Sequence, residues 1–254
     1  MRKYNFNEYF FHELNEKSSY WLGFLYADGY TRMKDGKSGE LKLKLKDTDK
    51  NHIELFLKDL GCDKTIKCGV DNKSKFCSVT VYSNIMVKKL FELGCVNNKT
   101  FKILLPELNN EIMCHFIRGY FDGDGSISKI KGKWDKVSIA GNQNFIESLK
   151  KYLLKFDISK INIYIQGKIK ILSITNISDI IKFKKIIYNN DTISLERKKN
   201  KFDKVNDDFV SKDEFLKLIK ENNLTTFGKY VSYIAFNKLS RFPRNPESEY
   251  KFKF

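Results

Sequence analysis

Tyr20–Tyr30, YWLGFLYADGY, and Phe116–Ser126, FIRGYFDGDGS, are two versions of one stretch, and their reading decides the fold. Each is an apolar, helix-forming run that ends in Asp-Gly. Small residues recur four apart in both, Gly23 and Ala27 in the first, Gly119 and Gly123 in the second. Positions i and i+4 share a helix face, so each run carries a stripe without bulky side chains. Two such stripes let helices approach closely, as small-xxx-small pairs do in membranes. Gly23, Ala27, Gly119 and Gly123 are therefore the expected helix interface. Asp28 and Asp124 fall at the two helix ends, each followed by a glycine suited to a C-terminal cap, Gly29 or Gly125. A carboxylate there faces the negative end of the helix dipole, an unfavourable place unless a cation joins it. Two such carboxylates brought together make a divalent-metal site.

Outward from these runs the chain repeats itself. After the first, a loop (residues 34–39) leads to ELKLKLKD, where Leu41, Leu43 and Leu45 alternate with Lys42, Lys44 and Lys46. That is the period of a half-buried strand with an ammonium row on its open face. An amphipathic helix ending at Gly61 follows. Then come two strands joined by Asp71-Asn72-Lys73-Ser74, a good hairpin turn, and a helix ending at Gly94. The second run opens near Asn110, and the same succession returns. KWDKVSIAGN answers the lysine-rich strand, FIESLKKYLL the helix, INIYIQGKIKILSIT a hairpin turning at Gln166-Gly167, and SDIIKFKKIIYN the last helix. A duplication of this size predicts two similar half-domains, 1–105 and 106–205, related by a pseudo-twofold axis. Ser18 or Ser19 is the expected cap of the first helix. Residues 206–254 depart from the pattern and predict a small helical extension, whose Lys229, Lys238, Arg241 and Arg244 suggest an additional nucleic-acid contact.

Composition points to the partner. Lys plus Arg number 47 against 31 acidic residues, a net charge of +16, which favours a polyanion, nucleic acid or an anionic membrane surface. No apolar run reaches the ~18 residues that span a bilayer, and nothing resembles a signal peptide. An intracellular protein, with no membrane partner, is the expectation. Five cysteines without zinc-ligand spacing are expected as reduced thiols. His12, His52 and His115 show no paired spacing and are expected as packing or surface residues.

The paired runs Trp21–Gly29 and Ile117–Gly125 resemble the duplicated motif of the LAGLIDADG homing endonucleases, over roughly residues 18–205. The first copy departs from the motif at Tyr26, where the family often has an acidic residue. The resemblance implies an α+β fold of two αββαββα halves with the motif helices at their interface. It implies a single-chain, monomeric, site-specific double-strand DNA endonuclease acting on a long, near-symmetric target. Asp28 and Asp124 become catalytic metal ligands, aided by the main-chain oxygens of Ala27 and Gly123. The metal is magnesium, with manganese as an alternative and calcium as a non-cleaving substitute. A basic residue after the last helix of each half is implied near the scissile phosphates: Lys99, and Lys198 with Arg197 and Lys199 as alternatives. The residues agree, since oxygen-only ligands suit magnesium and carboxylate-held metal ions serve phosphodiester hydrolysis. For DNA contact the sheets offer Lys42, Lys44, Lys46, Lys67, Lys73, Lys75, Thr80 and Tyr82 in the first half. The second offers Lys129, Lys131, Lys133, Lys136, Ser138, Lys168, Lys170, Ser173 and Thr175. Lysines supply salt-dependent phosphate affinity, and the directed polar groups read bases. The other expectations are a maturase that binds intron RNA, and a DNA-binding protein that does not cleave. The chain lacks a Cys or Ser after the initiator and a C-terminal His-Asn pair, so a free-standing or intron-encoded protein is expected, not an intein.

Overall fold

The computed structural model describes residues 4–34, 37–97, 102–130, 133–189, 191–203, 205 and 221. The chain divides into two compact units, Met1–Phe202 and Asp203–Phe254. The helical extension expected at 206–254 lies, apart from Glu221, outside the described residues.

The first unit runs α1 (Glu16–Asp28), β1 (Gly29–Lys34), β2 (Lys37–Lys46), a 3-10 turn (Asp47–Asp49), α2 (Lys50–Asp59), β3 (Lys67–Asp71), β4 (Ser74–Tyr82) and α3 (Asn84–Glu92). It continues with α4 (Asn110–Asp124), β5 (Gly125–Ile130), β6 (Lys133–Gly141), α5 (Gln143–Leu154), β7 (Ile161–Gln166), β8 (Ile169–Ile174), α6 (Ile177–Tyr188) and α7 (Glu196–Phe202). The order αββαββα thus occurs twice, with α7 added. Each half has a four-stranded antiparallel sheet, ordered β1-β2-β4-β3 in one and β5-β6-β8-β7 in the other.

Local chemistry accounts for the element ends, with some differences from the sequence reading. Asn15, not Ser18 or Ser19, caps α1: its side chain accepts from the Ser18 amide while Ser18 Oγ accepts from the Asn15 amide. This is a capping box in which serine takes the reciprocal place. Asn109 caps α4 by accepting from the Ile112 amide at 2.9 Å. Gly29 and Gly125 are extended, with φ of −74° and −84°, so neither is the left-handed cap that Asp-Gly suggests. Glycine is needed there for space. A Cβ on Gly29 would lie 2.7 Å from the Leu25 carbonyl oxygen, and one on Gly125 2.2 Å from the Phe121 ring. The chain passes straight from helix into strand, and β2 begins at Lys37, inside the stretch read as loop.

The β3–β4 turn places Asn72 and Lys73 at φ of 45° and 66°, the paired positive values of a two-residue hairpin matched to strand twist. Leu41, Leu43 and Leu45 oppose Val81, Val79 and Cys77, and all six are buried. The second sheet sets Val137 and Ile139 against Ile174 and Leu172 in the same way. Cys68 and Cys77 stand directly opposite across β3–β4 and are joined by a disulfide. The expectation of five reduced thiols is corrected here. A directly opposed pair, with Cα atoms 4.1 Å apart, brings two sulfurs within bonding reach, and sequence spacing does not reveal such register. Cys62, Cys95 and Cys114 keep their thiols.

Candidate active site and nucleic-acid face

The site is built on the crossing of α1 and α4. A Cβ on Gly23 would sit 1.9 Å from the Phe116 carbonyl oxygen, and one on Gly119 would sit 1.9 Å from the Tyr20 carbonyl oxygen. Laying Asp28 on Asp124 exchanges Gly23 with Gly119 and Tyr20 with Phe116. The two contacts are therefore the same contact made twice, the signature of a twofold interface. Further along, a Cβ on Gly123 would meet the Ala27 Cβ at 2.2 Å and would lie 3.5 Å from the Asp28 carboxylate. Backbone thus meets backbone along the axis. Both helices deliver Asp28 and Asp124, exposed, to the same end of the crossing, while Ala27 and Gly123 are half-buried. Near Asp124 the buried Tyr120 hydroxyl donates to the Ala140 carbonyl at 2.8 Å, and burial together with both carboxylates pushes its pKa up.

One position before Ala27 and Gly123 the halves differ. Tyr26 donates its hydroxyl to the Leu93 carbonyl, just after α3. Asp122, fully buried, accepts from the Tyr188 hydroxyl at 2.6 Å, the Leu195 amide at 2.6 Å and the Tyr20 hydroxyl at 2.8 Å. Burial pushes the Asp122 carboxyl up to about 6, against these hydrogen bonds and the nearby Lys198, which pull it down. Each residue ties the end of its own half's last helix to the motif helix, one as donor and one as acceptor. Sequence reasoning noted the mismatch but missed the tether. An acid inside the apolar run FIRGYFDGDG was the available signal.

The three consecutive cations after α6 have different fates, because successive residues of a helix point about 100° apart. Lys198 is buried, and its ammonium donates to the carbonyls of Phe121, Gly123 and Gly125 at 2.9, 2.7 and 2.6 Å. Burial lowers its pKa to about 8. It places a cation against the C-terminal end of α4 and already uses one lone pair of the Gly123 oxygen. Arg197 Nε donates to both carboxylate oxygens of Asp49, at 2.9 and 3.0 Å. Lys199 pairs with Asp191 at 2.7 Å. Lys99 lies outside the described residues. His52 is packed among Tyr20, Trp21 and Phe24, His115 bonds to Arg118, and His12 is exposed.

A cleft of about 440 Å³ lies against the first sheet, lined by Asp28, Gly123, Lys44, Lys46, Asp49 and Arg197 among others. On that sheet's open face Lys42, Lys44 and Lys46 oppose Thr80, Ser78 and Phe76, and Lys67 opposes Ser78 from the other side. Lys44 stands 4.1 Å over the Phe76 ring and pairs with Asp71 at 2.7 Å. Tyr82 is exposed on the same face and opposes Glu40. Lys64, not foreseen, donates to the Thr80 carbonyl and stacks over Tyr4. Lys73 is in the turn, and Lys75 has the strand parity of Cys77 but also lines the cleft. In the second half Lys136, Ser138, the buried Ser173 and Asn162 share the open face. Thr175 follows β8 with the same parity, Lys129 lies at the bulge between β5 and β6, and Lys168 is in the turn. Lys170 turns the other way and pairs with Glu147 of α5 at 3.2 Å. Its parity matches Gly141, so it lies off the open face where it was expected among the DNA contacts. Lys131 and the side chain of Lys133 lie outside the described residues.

Among the described residues no group of three or more His, Cys, Asp or Glu is arranged to hold a metal ion, and no helix is long and apolar enough to cross a membrane. Residues 111–188 match the profile of the family described as LAGLIDADG-like domain. No curated protein sequence matches the chain. The fold is similar to the homing endonuclease I-WcaI bound to its DNA recognition sequence, with TM-score 0.53 and 15% identity over 73% of this chain and 87% of that one. It is similar to the LAGLIDADG homing endonuclease I-GzeII in complex with DNA target, with TM-score 0.51 and 15% identity over 87% and 96%. It is also similar to full-length DUF199/WhiA from Thermatoga maritima, with TM-score 0.51 and 18% identity over 86% and 72%.

Proposed function

Because the chain carries a LAGLIDADG-like domain within a fold shared with LAGLIDADG homing endonucleases, we propose that it is a site-specific double-strand DNA endonuclease. It acts as a monomer on a long, near-symmetric duplex. The observation that carries this reading is the delivery of Asp28 and Asp124 to one end of a backbone-to-backbone helix crossing. Each carboxylate belongs to a half with its own sheet, so one strand of the duplex falls to each.

The donors at that end fit a hard divalent cation. They are oxygens only: the two carboxylates, the Ala27 carbonyl and the remaining lone pair of the Gly123 carbonyl. Magnesium uses one or two carboxylates and keeps several waters, which suits so open a donor set. Manganese is the alternative, and calcium binds without supporting cleavage. When bound, the ion neutralises charge at the phosphate and makes water a better nucleophile. The chain's own groups do the rest. The basic faces hold the backbone in register, Ser, Thr and Tyr side chains meet base edges, and Lys198 fixes the end of α4 that carries Asp124.

The test uses plasmids carrying randomised duplex inserts, with magnesium. The wild type linearises a subset that shares one sequence. Asp28→Asn and Asp124→Asn, made singly, linearise that subset at least about 100-fold more slowly, as loss of a charge-stabilising group at a reacting phosphate does. If both variants cut at the wild-type rate, the metal-site assignment is wrong. One observation favours a second reading, sequence-specific binding without cleavage. Lys198 already supplies a cation at the end of α4, where the dipole asks for one. A wild-type protein that selects duplexes but leaves both strands intact in magnesium and manganese selects that reading.

A further inference from the structure

We infer that Cys68 is a site of reversible exchange with a low-molecular-weight thiol, and that its bond to Cys77 is the latch that holds strand β3 in the first sheet. The latch stands apart from the reading as an endonuclease. Its consequence for DNA rests on that reading.

The two halves show what the bond replaces. β3 and β7 are the edge strands of their sheets. Laying Asp71 on Gln166, the last residue of each strand, sets Cys68 on Ile163 and Cys77 on Leu172. In the second half Ile163 opposes the buried Leu172, and on the same face buried Ile161 opposes buried Ile174. Apolar burial thus anchors β7. β3 has no such anchor. Of Lys67, Cys68, Gly69, Val70 and Asp71 none is buried, and Val70 is 67% exposed. An edge strand held by its ladder alone opens readily, because its hydrogen bonds border on water. A covalent bond at one rung keeps the two strands together.

The bond is open to exchange from one side. Cys68 is exposed while Cys77 is buried, so a thiolate reaches the sulfur of Cys68 and Cys77 is the leaving group. Lys75 lies two residues before Cys77 with the same strand parity, and its charge favours an anionic attacking thiol and the departing thiolate. The attack forms a mixed disulfide on Cys68, and Cys77 takes a proton from solvent. A second thiol attacks the small molecule's sulfur, releases Cys68 and departs as the small-molecule disulfide. The protein gains two electrons and two protons, and the reverse sequence restores the bond. Burial raises the thiol pKa values of Cys62 and Cys114, which makes them slow competitors. On β3, Lys67 shares a rung of the open face with Ser78 and Lys44, and Asp71 holds Lys44 at 2.7 Å beside the cleft. Opening the latch therefore releases a DNA-facing cation and a cleft residue together.

The experiment compares the full chain purified in air with the same chain after incubation with reduced glutathione. Alkylation under denaturing conditions, read by mass spectrometry, finds three thiols before and five after. In Cys77→Ser, Cys68 takes up oxidised glutathione at least about 10-fold faster than Cys77 does in Cys68→Ser, as its exposure requires. Reduction speeds hydrogen exchange in β3 at least about 10-fold and leaves β7 unchanged. The double variant Cys68→Ser with Cys77→Ser exchanges at the reduced rate whether or not glutathione is present. Five thiols in the untreated chain, equal exchange in β3 before and after reduction, or a double variant that still responds to glutathione overturns the latch. Equal uptake by the two single variants overturns Cys68 as the entry site. The last arm measures binding to a fluorescent mixed-sequence DNA duplex by anisotropy, in EDTA. Reduction lowers the slope of log affinity against log salt by about 0.9, the contact of Lys67, and Lys67→Ala removes the difference. An unchanged slope overturns the consequence for DNA. The other arms contain no DNA, so a wild type that does not bind the duplex sinks the endonuclease reading and leaves the latch standing.

Discussion

His52 has its Nε2 2.9 Å from the Tyr20 hydroxyl, which in turn lies 2.8 Å from the Asp122 carboxylate. A hydroxyl has one proton to give, and an ionised carboxylate only accepts. Tyr20 therefore donates to Asp122, and His52 carries its proton on Nε2 and donates to Tyr20, a tautomer assigned from its partners. The ring packs against Trp21 and Phe24 at centroid distances of 4.8 and 4.7 Å. Burial lowers its pKa to about 4. The unfolded chain then binds a proton near pH 6.5 that the folded chain refuses until about 4, so stability falls as pH drops through that window. The expected loss between pH 7 and pH 5 is about 2 kcal/mol. Asp122, raised to about 6 by burial, acts in the opposite sense. The readout is consequently the difference between wild type and His52→Phe in urea unfolding at the two pH values. An equal pH dependence in both proteins would show that His52 is not held neutral.

The helix crossing makes its own prediction. Alanine in place of a helical glycine gains up to about 1 kcal/mol of propensity. At Gly23 or Gly119 that gain is opposed by a Cβ 1.9 Å from a carbonyl oxygen of the other helix. Backbone cannot give way there as a flexible side chain does, and overpacking costs about 1–3 kcal/mol or more. Gly23→Ala and Gly119→Ala should therefore destabilise the fold by similar amounts, the similarity following from the twofold exchange. Gly61 is the control. A Cβ there would meet nothing within 4 Å, but its φ is +61°, so alanine costs only about 1–2 kcal/mol of backbone strain. Chemical denaturation of the three variants decides it, and wild-type stability in Gly23→Ala would mean that the helices do not meet backbone to backbone. Lower in the same elements, the contrast of Tyr26 with Asp122 shows how two halves keep one architecture with opposite hydrogen-bond polarity.

Among the described residues of the two sheets, positive charge is distributed unevenly. On the open faces of the described sheets the first half gathers Lys42, Lys44, Lys46 and Lys67, whereas the second shows Lys136 among serines, Asn162 and Thr175. Replacing Lys42 and Lys46 together by alanine should lower the salt slope of duplex binding by about 1.8, two phosphate contacts. Lys170→Ala should leave it unchanged, since Glu147 holds that ammonium on the helical side. Equal effects from the two would show that the open face of the first sheet is not the DNA face. The exposed pair of Lys44 with Asp71 contributes little to stability. Much of this architecture is legible in the chain. The Asp-Gly runs, the Leu/Lys alternation of residues 41–46 and the Asn72-Lys73 turn express helical period, strand period and φ preference, which are properties of contiguous residues. What remained open depended on partners far away in sequence. The separate fates of Arg197, Lys198 and Lys199, the burial of Asp122, the Cys68–Cys77 pairing and the turning of Lys170 were settled by packing and register. By itself the sequence determined two like halves and two carboxylates at the ends of their paired helices. Only the tertiary structure decided which cation faces which carboxylate, because that choice follows from how elements distant in sequence meet and not from any local pattern.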